Sequence, residues 1–237
     1  MDNIEYLKKY YNGNMEDAIK RLEKGESVQY IVGNQDFFGY IINVDKRVLI
    51  PRRETEELVE EVINRSTNFT ELKIADIGTG SGAISIALSK ELNTKVIATD
   101  ISLDAIEVAK ENVKENNADV EVFQGDMLEP LIKNDIKVNI LVSNPPYIKE
   151  DEEIEKVVYN NEPHLALYAK EDGTEFYRKI LKDCSKVLEE KYLIAFEIGE
   201  TQGIVVRELA YKYLKDIKVE VKKDLSGKDR MVFVYNY

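Results

Sequence analysis

Asn144-Pro145-Pro146-Tyr147 follows the apolar run Ile140-Leu141-Val142 with only Ser143 between, so a side-chain amide, two prolines and an aromatic ring stand where a buried strand leaves its sheet. Open α/β sheets bind their ligands at such strand ends. The set suits an unusual task, gripping a planar NH2 group and turning it toward an electrophile. Pro145 and Pro146 have fixed φ and no N–H, which holds the nearby carbonyls outward as free acceptors. The Asn144 amide adds a further acceptor, and Tyr147 offers a ring to lie against a flat substrate group. Alone, the tetrapeptide is better read as a rigid turn after a strand. Its neighbours decide the matter.

Upstream lies Asp76-Ile77-Gly78-Thr79-Gly80-Ser81-Gly82, entered from Leu72, Ile74 and Ala75 and followed by Ala83-Ile84-Ser85-Ile86-Ala87-Leu88. The pattern predicts strand, tight turn, helix. Alternate glycines let backbone approach a nucleoside closely, and the first N–H groups of the helix favour a carboxylate or phosphate. The spacing is GxGxG and not the GxGxxG of many dinucleotide folds. A second strand, Lys95 to Thr99, ends at Asp100, where an acid can accept from both hydroxyls of a ribose. Asp100 would otherwise be a helix-start residue, because Ser102 and the periodic Leu103, Ile106, Ala109 and Val113 follow it. A third strand, Val120 to Phe123, runs into Gly125-Asp126-Met127, placing a carboxylate and an apolar side chain beside an adenine.

Taken in this order, the motifs resemble the class I S-adenosylmethionine-dependent methyltransferases, and more narrowly the protein-glutamine N5-methyltransferases that modify bacterial peptide chain release factors. The resemblance extends to Gln29-Tyr30-Ile31-Val32-Gly33, Phe37-Phe38-Gly39, Leu49-Ile50-Pro51-Arg52-Arg53-Glu54-Thr55-Glu56, and Asn161-Glu162-Pro163 with Ala166-Leu167. It implies a Rossmann-like α/β fold with a seven-stranded, mostly parallel sheet whose last strand is reversed. It further implies that Gly78, Thr79, Gly80, Ser81, Gly82, Asp100, Asp126 and Met127 bind S-adenosylmethionine, with Met127 flanking the adenine. Asn144 would lie between cofactor and substrate, and Asn144, Pro145, Pro146 and Tyr147 would hold the glutamine of a release-factor Gly-Gly-Gln motif. Met127 stands where many members carry an aromatic residue, and Arg53 where many carry proline.

An amide nitrogen is a poor nucleophile, its lone pair being delocalised into the carbonyl. Such a site must therefore work by orientation and preorganised dipoles. No strong base accompanies NPPY, so water is expected to take the departing proton, with no covalent intermediate. His164, the single histidine, has packing neighbours in Pro163, Leu165 and Leu167 and is read as structural or surface.

The elements that must carry these residues divide into a short helical N-terminal docking segment (1–26), a β-hairpin connector (27–53) and a methyltransferase domain (54–237). Residues 1–26 predict one or two helices broken at Asn12-Gly13-Asn14, residues 37–50 a hairpin and 54–65 a helix. Downstream, 172–190 and 201–214 read as helices, 192–198 as a strand, and 217–221 and 231–235 as closing antiparallel strands. One cysteine, Cys184, rules out an internal disulfide; in step with Tyr177, Ile180, Leu181 and Leu188 it is expected to be buried. No metal is expected. Neither a signal sequence nor a membrane span is legible, which points to the cytoplasm.

Net charge is −12, and Glu150-Asp151-Glu152-Glu153 with Glu155 follow NPPY. Nucleic-acid binding needs a basic footprint, so a protein partner, the release factor, is expected and direct nucleic-acid contact is not. The rim would attract a cationic cofactor or basic partner, besides favouring a helix start. The nearest rival is an exocyclic-amine methyltransferase acting on RNA or DNA bases. More distant are a nicotinamide-dependent oxidoreductase, which leaves NPPY unexplained, and a cofactor-binding assembly factor without catalysis.

Overall fold

The computed structural model describes residues 2–237; Met1 lies outside the described residues. The chain starts with α1 (Asn3–Tyr10), closed by a capping box in which Asp2 and Glu5 exchange side-chain and backbone bonds, and α2 (Met15–Glu23), capped by Asn14. The break at Asn12-Gly13-Asn14 is as expected. A short helix α3 (Val28–Val32) follows, and Leu7, Ala18, Val28 and Ile31 form a small core of their own. The segment expected to begin the hairpin connector at residue 27 is therefore helical at its start.

The hairpin itself is β1 (Asn34–Phe37) with β2 (Tyr40–Asn43), earlier than the 37–50 expected. Its two-residue turn is Phe38-Gly39, both at positive φ (54° and 81°), the geometry that matches strand twist. Phe38 meets that geometry without the usual Asn or Asp, and its N–H is held by Glu56 Oε1 at 3.0 Å. Residues 44–52 then run without strand pairing to α4 (Arg53–Ser66).

A doubly wound unit follows: β3 (Ile74–Ile77), α5 (Ala83–Leu92), β4 (Val96–Asp100), α6 (Leu103–Glu115), β5 (Val120–Gln124), α7 (Glu129–Lys133) and β6 (Val138–Ser143). The segment after β6 holds the two-residue strands β7 (Ile148–Lys149) and β8 (Tyr168–Ala169), α8 (Lys156–Asn161) and the single turn α9 (Lys170–Gly173). Then come α10 (Glu175–Asp183), β9 (Leu188–Glu197), α11 (Gly203–Tyr213), β10 (Lys218–Lys223) and β11 (Asp229–Tyr235). The helix expected to reach residue 190 stops at Asp183, because Cys184–Lys186 tighten into a 3-10 turn and Leu188 already pairs with Val138 of β6.

The seven strands are ordered β10-β11-β9-β6-β3-β4-β5, with every pair parallel except those of β11, which runs antiparallel to both neighbours. This is the expected sheet with its last strand reversed. β6 is buried at every position, as a parallel strand covered on both faces must be. Alternate residues divide between two cores: Ile140 and Val142 face α4, α5 and α6, whereas Leu141 faces α7, α10 and α11. β3 and β6 are neighbours whose chain continues to opposite sides of the sheet order, so a crevice opens beyond their carboxyl ends. No helix among the described residues is long and apolar enough to cross a membrane.

Candidate active site

The glycine turn leaves β3 into that crevice. Gly78 and Gly80 have φ of +74° and +55°, and a Cβ at either would project into open space. Gly82, in contrast, is the start of α5 with Ala109 and Ile86 behind it. The loop is braced from two sides. Gly80 donates its N–H to Asp100 Oδ2 (2.9 Å), and Ser102 donates to Oδ1 (2.9 Å), so the acid at the end of β4 is aimed by the backbone of both adjoining turns. Burial raises the Asp100 pKa, while these N–H groups oppose the rise.

Asp76 lies beneath the loop, fully buried. Its Oδ2 accepts from Thr79 Oγ1 and Ser85 Oγ, both at 2.6 Å, while Oδ1 has no protein partner. Burial pushes its pKa up to about 6, against the lowering effect of the two hydroxyls. A carboxyl whose folded pKa exceeds its unfolded value favours folding fully below the unfolded value, and that contribution is lost as pH rises through the folded one. Asp76 should therefore cost about 3 kcal/mol as pH rises from about 4 to 6. Denaturant melts at intervals across this window should show Asp76→Asn lacking that component; an unchanged pH slope in the variant would refute it.

One cavity of about 380 Å³ gathers Gly78, Thr79, Gly80, Ser81, Asp100, Asp126, Met127, Asn144 and Pro146. Of the site residues read from sequence, Gly82, Pro145 and Tyr147 lie outside its lining. Met127 sits at φ 47°, its carbonyl fixed by Thr99 Oγ1 at 3.0 Å. Asp126 faces Lys179 Nζ at 3.5 Å, which also reaches Glu175 at 3.1 Å. Glu150 contributes to the rim; Glu150–Glu153 lie ahead of α8, and only Glu155 stands at its start, as the N-cap. His164 is exposed, bonded to the Tyr159 carbonyl and lying between the Tyr159 and Tyr168 rings; it is not part of the cavity lining, although Pro163, Leu165 and Tyr168 around it are. Cys184 is buried against the Leu181 carbonyl, and burial pushes its thiol up to about 12.

After β6, Asn144 and Pro146 face this cavity, while Tyr147 faces a second one of about 480 Å³ with Arg52, Glu162, Glu197 and Arg230. The carbonyls of Pro145 and Pro146 accept no hydrogen bond among the described residues. Gln202 Nε2 holds the Tyr147 carbonyl at 3.0 Å, and burial pushes the Tyr147 hydroxyl up to about 12. The Asn144 amide donates from Nδ2 to Thr55 Oγ1 (3.2 Å), and Thr55 donates to Glu197 Oε2 (2.6 Å). Glu162, 2% exposed in its side chain, accepts from Arg52 (2.5 Å) and from the Ile50 N–H (3.3 Å), clamping the segment before α4 to the one after α8.

No role was legible in sequence for Thr55, Glu162, Glu197 or Gln202. The available signal was an acid closing the apolar stretch Leu193–Phe196 at Glu197, and for Glu162 its place in Asn161-Glu162-Pro163.

Sheet order, glycine loop, acid-ended β4 and the turn after β6 together define a class I methyltransferase, and the Methyltransferase small domain family matches residues 54–165. Release factor glutamine methyltransferase of Bacillus cereus is 44% identical over 92% of this chain and 79% of that protein; the Streptococcus pneumoniae protein is 44% identical over 93% and 78%. The protein-(glutamine-N5) methyltransferase (release factor-specific) of Alicyclobacillus acidocaldarius superposes with TM-score 0.52 at 26% identity, covering 78% of this chain and 93% of that one. The chain belongs to the release factor glutamine methyltransferase family. The N-terminal domain of human METTL16 in complex with SAH shares the fold (TM-score 0.61, 20% identity, 100% of this chain and 95% of that one).

The residues present fit S-adenosylmethionine, the cofactor of this family. The cavity has the volume of a small-molecule site, the two open glycines leave room for close backbone approach, and a carboxylate stands at the end of β4.

Proposed function

We propose that this chain transfers a methyl group from S-adenosylmethionine to the side-chain amide nitrogen of the glutamine in the Gly-Gly-Gln motif of a release factor. The observation that carries this reading is the Asn144 amide, fixed through Nδ2 so that Oδ1 is left to accept from an NH2 group, beside two unpaired proline carbonyls. Gly78 to Ser81, Asp100, Asp126 and Met127 would hold the cofactor, which supplies an electrophilic sulfonium methyl. The glutamine side chain would reach Asn144 past Tyr147 from the second cavity, so cofactor and substrate need not share an entrance. Acceptors on both amide hydrogens turn the nitrogen lone pair toward the methyl and stabilise charge as it develops there. Neither His164 nor Cys184 takes part.

Incubation with methyl-labelled S-adenosylmethionine and purified release factor, the same factor with its motif glutamine replaced, or total RNA and DNA tests this. Label on the unaltered factor alone is expected; label on nucleic acid would make the site a base-amine methyltransferase.

Glu150, which lines the cavity, and Asp151, Glu152 and Glu153 after it are exposed. Their replacement by neutral residues should slow release-factor association and flatten its salt dependence. Rates indifferent to the change would remove the rim from recognition.

A further inference from the structure

Proteins cannot grip an NH2 group with an asparagine whose amide faces the wrong way. Rotation by 180° about χ2 exchanges Oδ1 and Nδ2, and an NH2 presented to an NH2 repels it. Something must therefore specify the orientation of Asn144, and the groups in contact with it define one solution. Thr55, 4% exposed on the first turn of α4, has a single hydroxyl hydrogen, which Glu197 Oε2 takes at 2.6 Å. With its hydrogen committed, Thr55 Oγ1 can only accept. Nδ2 of Asn144 meets it at 3.2 Å, leaving Oδ1 for the substrate.

We propose that Thr55 and Glu197 are positioning residues that set the polarity of the Asn144 amide: the carboxylate orients the hydroxyl, the hydroxyl orients the amide, and the amide orients the substrate nitrogen. This rests on the methyl-transfer reading above. The chain joins three distant parts of the sequence, the start of α4, the end of β9 and the turn after β6. It also runs from the second cavity, lined by Glu197, to the first, lined by Thr55 and Asn144.

The relay depends on Glu197 acting as an acceptor. A protonated carboxyl can donate to Thr55, releasing the Thr55 hydrogen to meet Asn144 Oδ1 and reverse the amide. Glu197 is 2% exposed, and burial pushes its pKa up to about 7, with the Thr55 hydroxyl and Arg230 acting in the opposite sense. The charged and titratable groups facing it are Arg52 and Glu54 at the start of α4, Tyr147 after β6, Tyr177 of α10 and Arg230 of β11.

The test is release-factor methylation by wild type, Thr55→Val, Thr55→Ser and Glu197→Gln, with kcat and KM determined from pH 6 to 8.5 and cofactor Kd measured alongside. Wild-type transfer to the factor is the precondition; its absence would sink the methyl-transfer reading and not the relay as such. Thr55→Val is expected to lower kcat on the order of 10–100-fold with KM and cofactor Kd little changed, and Thr55→Ser to restore it. Wild-type kcat should fall below about pH 7. Glu197→Gln, whose amide does not titrate, should lack that limb. Full kcat in Thr55→Val, or a Glu197→Gln profile matching wild type, would overturn the relay. Should Thr55→Val fail to fold, the Glu197→Gln profile decides.

Discussion

Asn144→Ala is expected to lower methyl transfer to release factor by about 10³-fold while leaving cofactor affinity within about threefold, because orientation and preorganised acceptors are all that the site offers an amide nitrogen. Truncation removes the Oδ1 acceptor and leaves Thr55 Oγ1 without its donor, a loss of about 1 kcal/mol in stability. The turn should survive this, since Pro145 and Pro146 shape it and Gln202 holds the Tyr147 carbonyl from the far side. Initial rates with labelled cofactor, paired with calorimetric titration of the same variant, separate a lost grip from a lost fold. Transfer within tenfold of wild type would refute the assignment of Asn144 to the substrate amide.

The second large effect falls on cofactor binding. Asp100→Ala removes a carboxylate that accepts from Gly80 and Ser102 and retains lone pairs facing the cavity. Cofactor Kd should rise about 100-fold, the equivalent of one or two charge-assisted hydrogen bonds together with looser bracing of the glycine turn. Saturating cofactor should then restore most of the rate, since the amide grip is untouched. An unchanged Kd by calorimetry would mean that the acid at the end of β4 only shapes the loop.

The parts of the site that were legible in sequence are those whose chemistry is local. Asn144 to Tyr147, Gly78 to Gly80 and Asp100 each announce a strand end by composition alone, and the sheet brings Asn144, Pro146, Gly78 to Gly80 and Asp100 to one crevice. Thr55 and Glu197 are different. A threonine in a first helical turn and an acid closing a strand are ordinary residues until the fold puts one against the other, and nothing in either segment encodes the partner. The same distinction applies to the elements. α4 to α6 follow from periodicity, whereas the hairpin is displaced because Phe38 turns the chain at positive φ with no Asn-Gly signal. The early start of β9 was hidden by Glu189-Glu190-Lys191, whose polarity masks a strand paired with β6 at Val138. Tyr147, read beside the prolines as a ring for the substrate, lines the second cavity rather than the one that Asn144 lines.

Strand order also bears on how the chain is made. β3 pairs with β4 on one side and β6 on the other, and β6 is the later of the two to be synthesised. Until Val138–Ser143 has left the ribosome, the strand that carries the glycine loop presents an unpaired backbone edge along Ile74, Ala75, Asp76 and Ile77. Such an edge is a template for wrong pairing. Chains that terminate early should therefore aggregate rather than persist as soluble halves, and the turn proposed to grip the amide arrives on the strand that closes the edge.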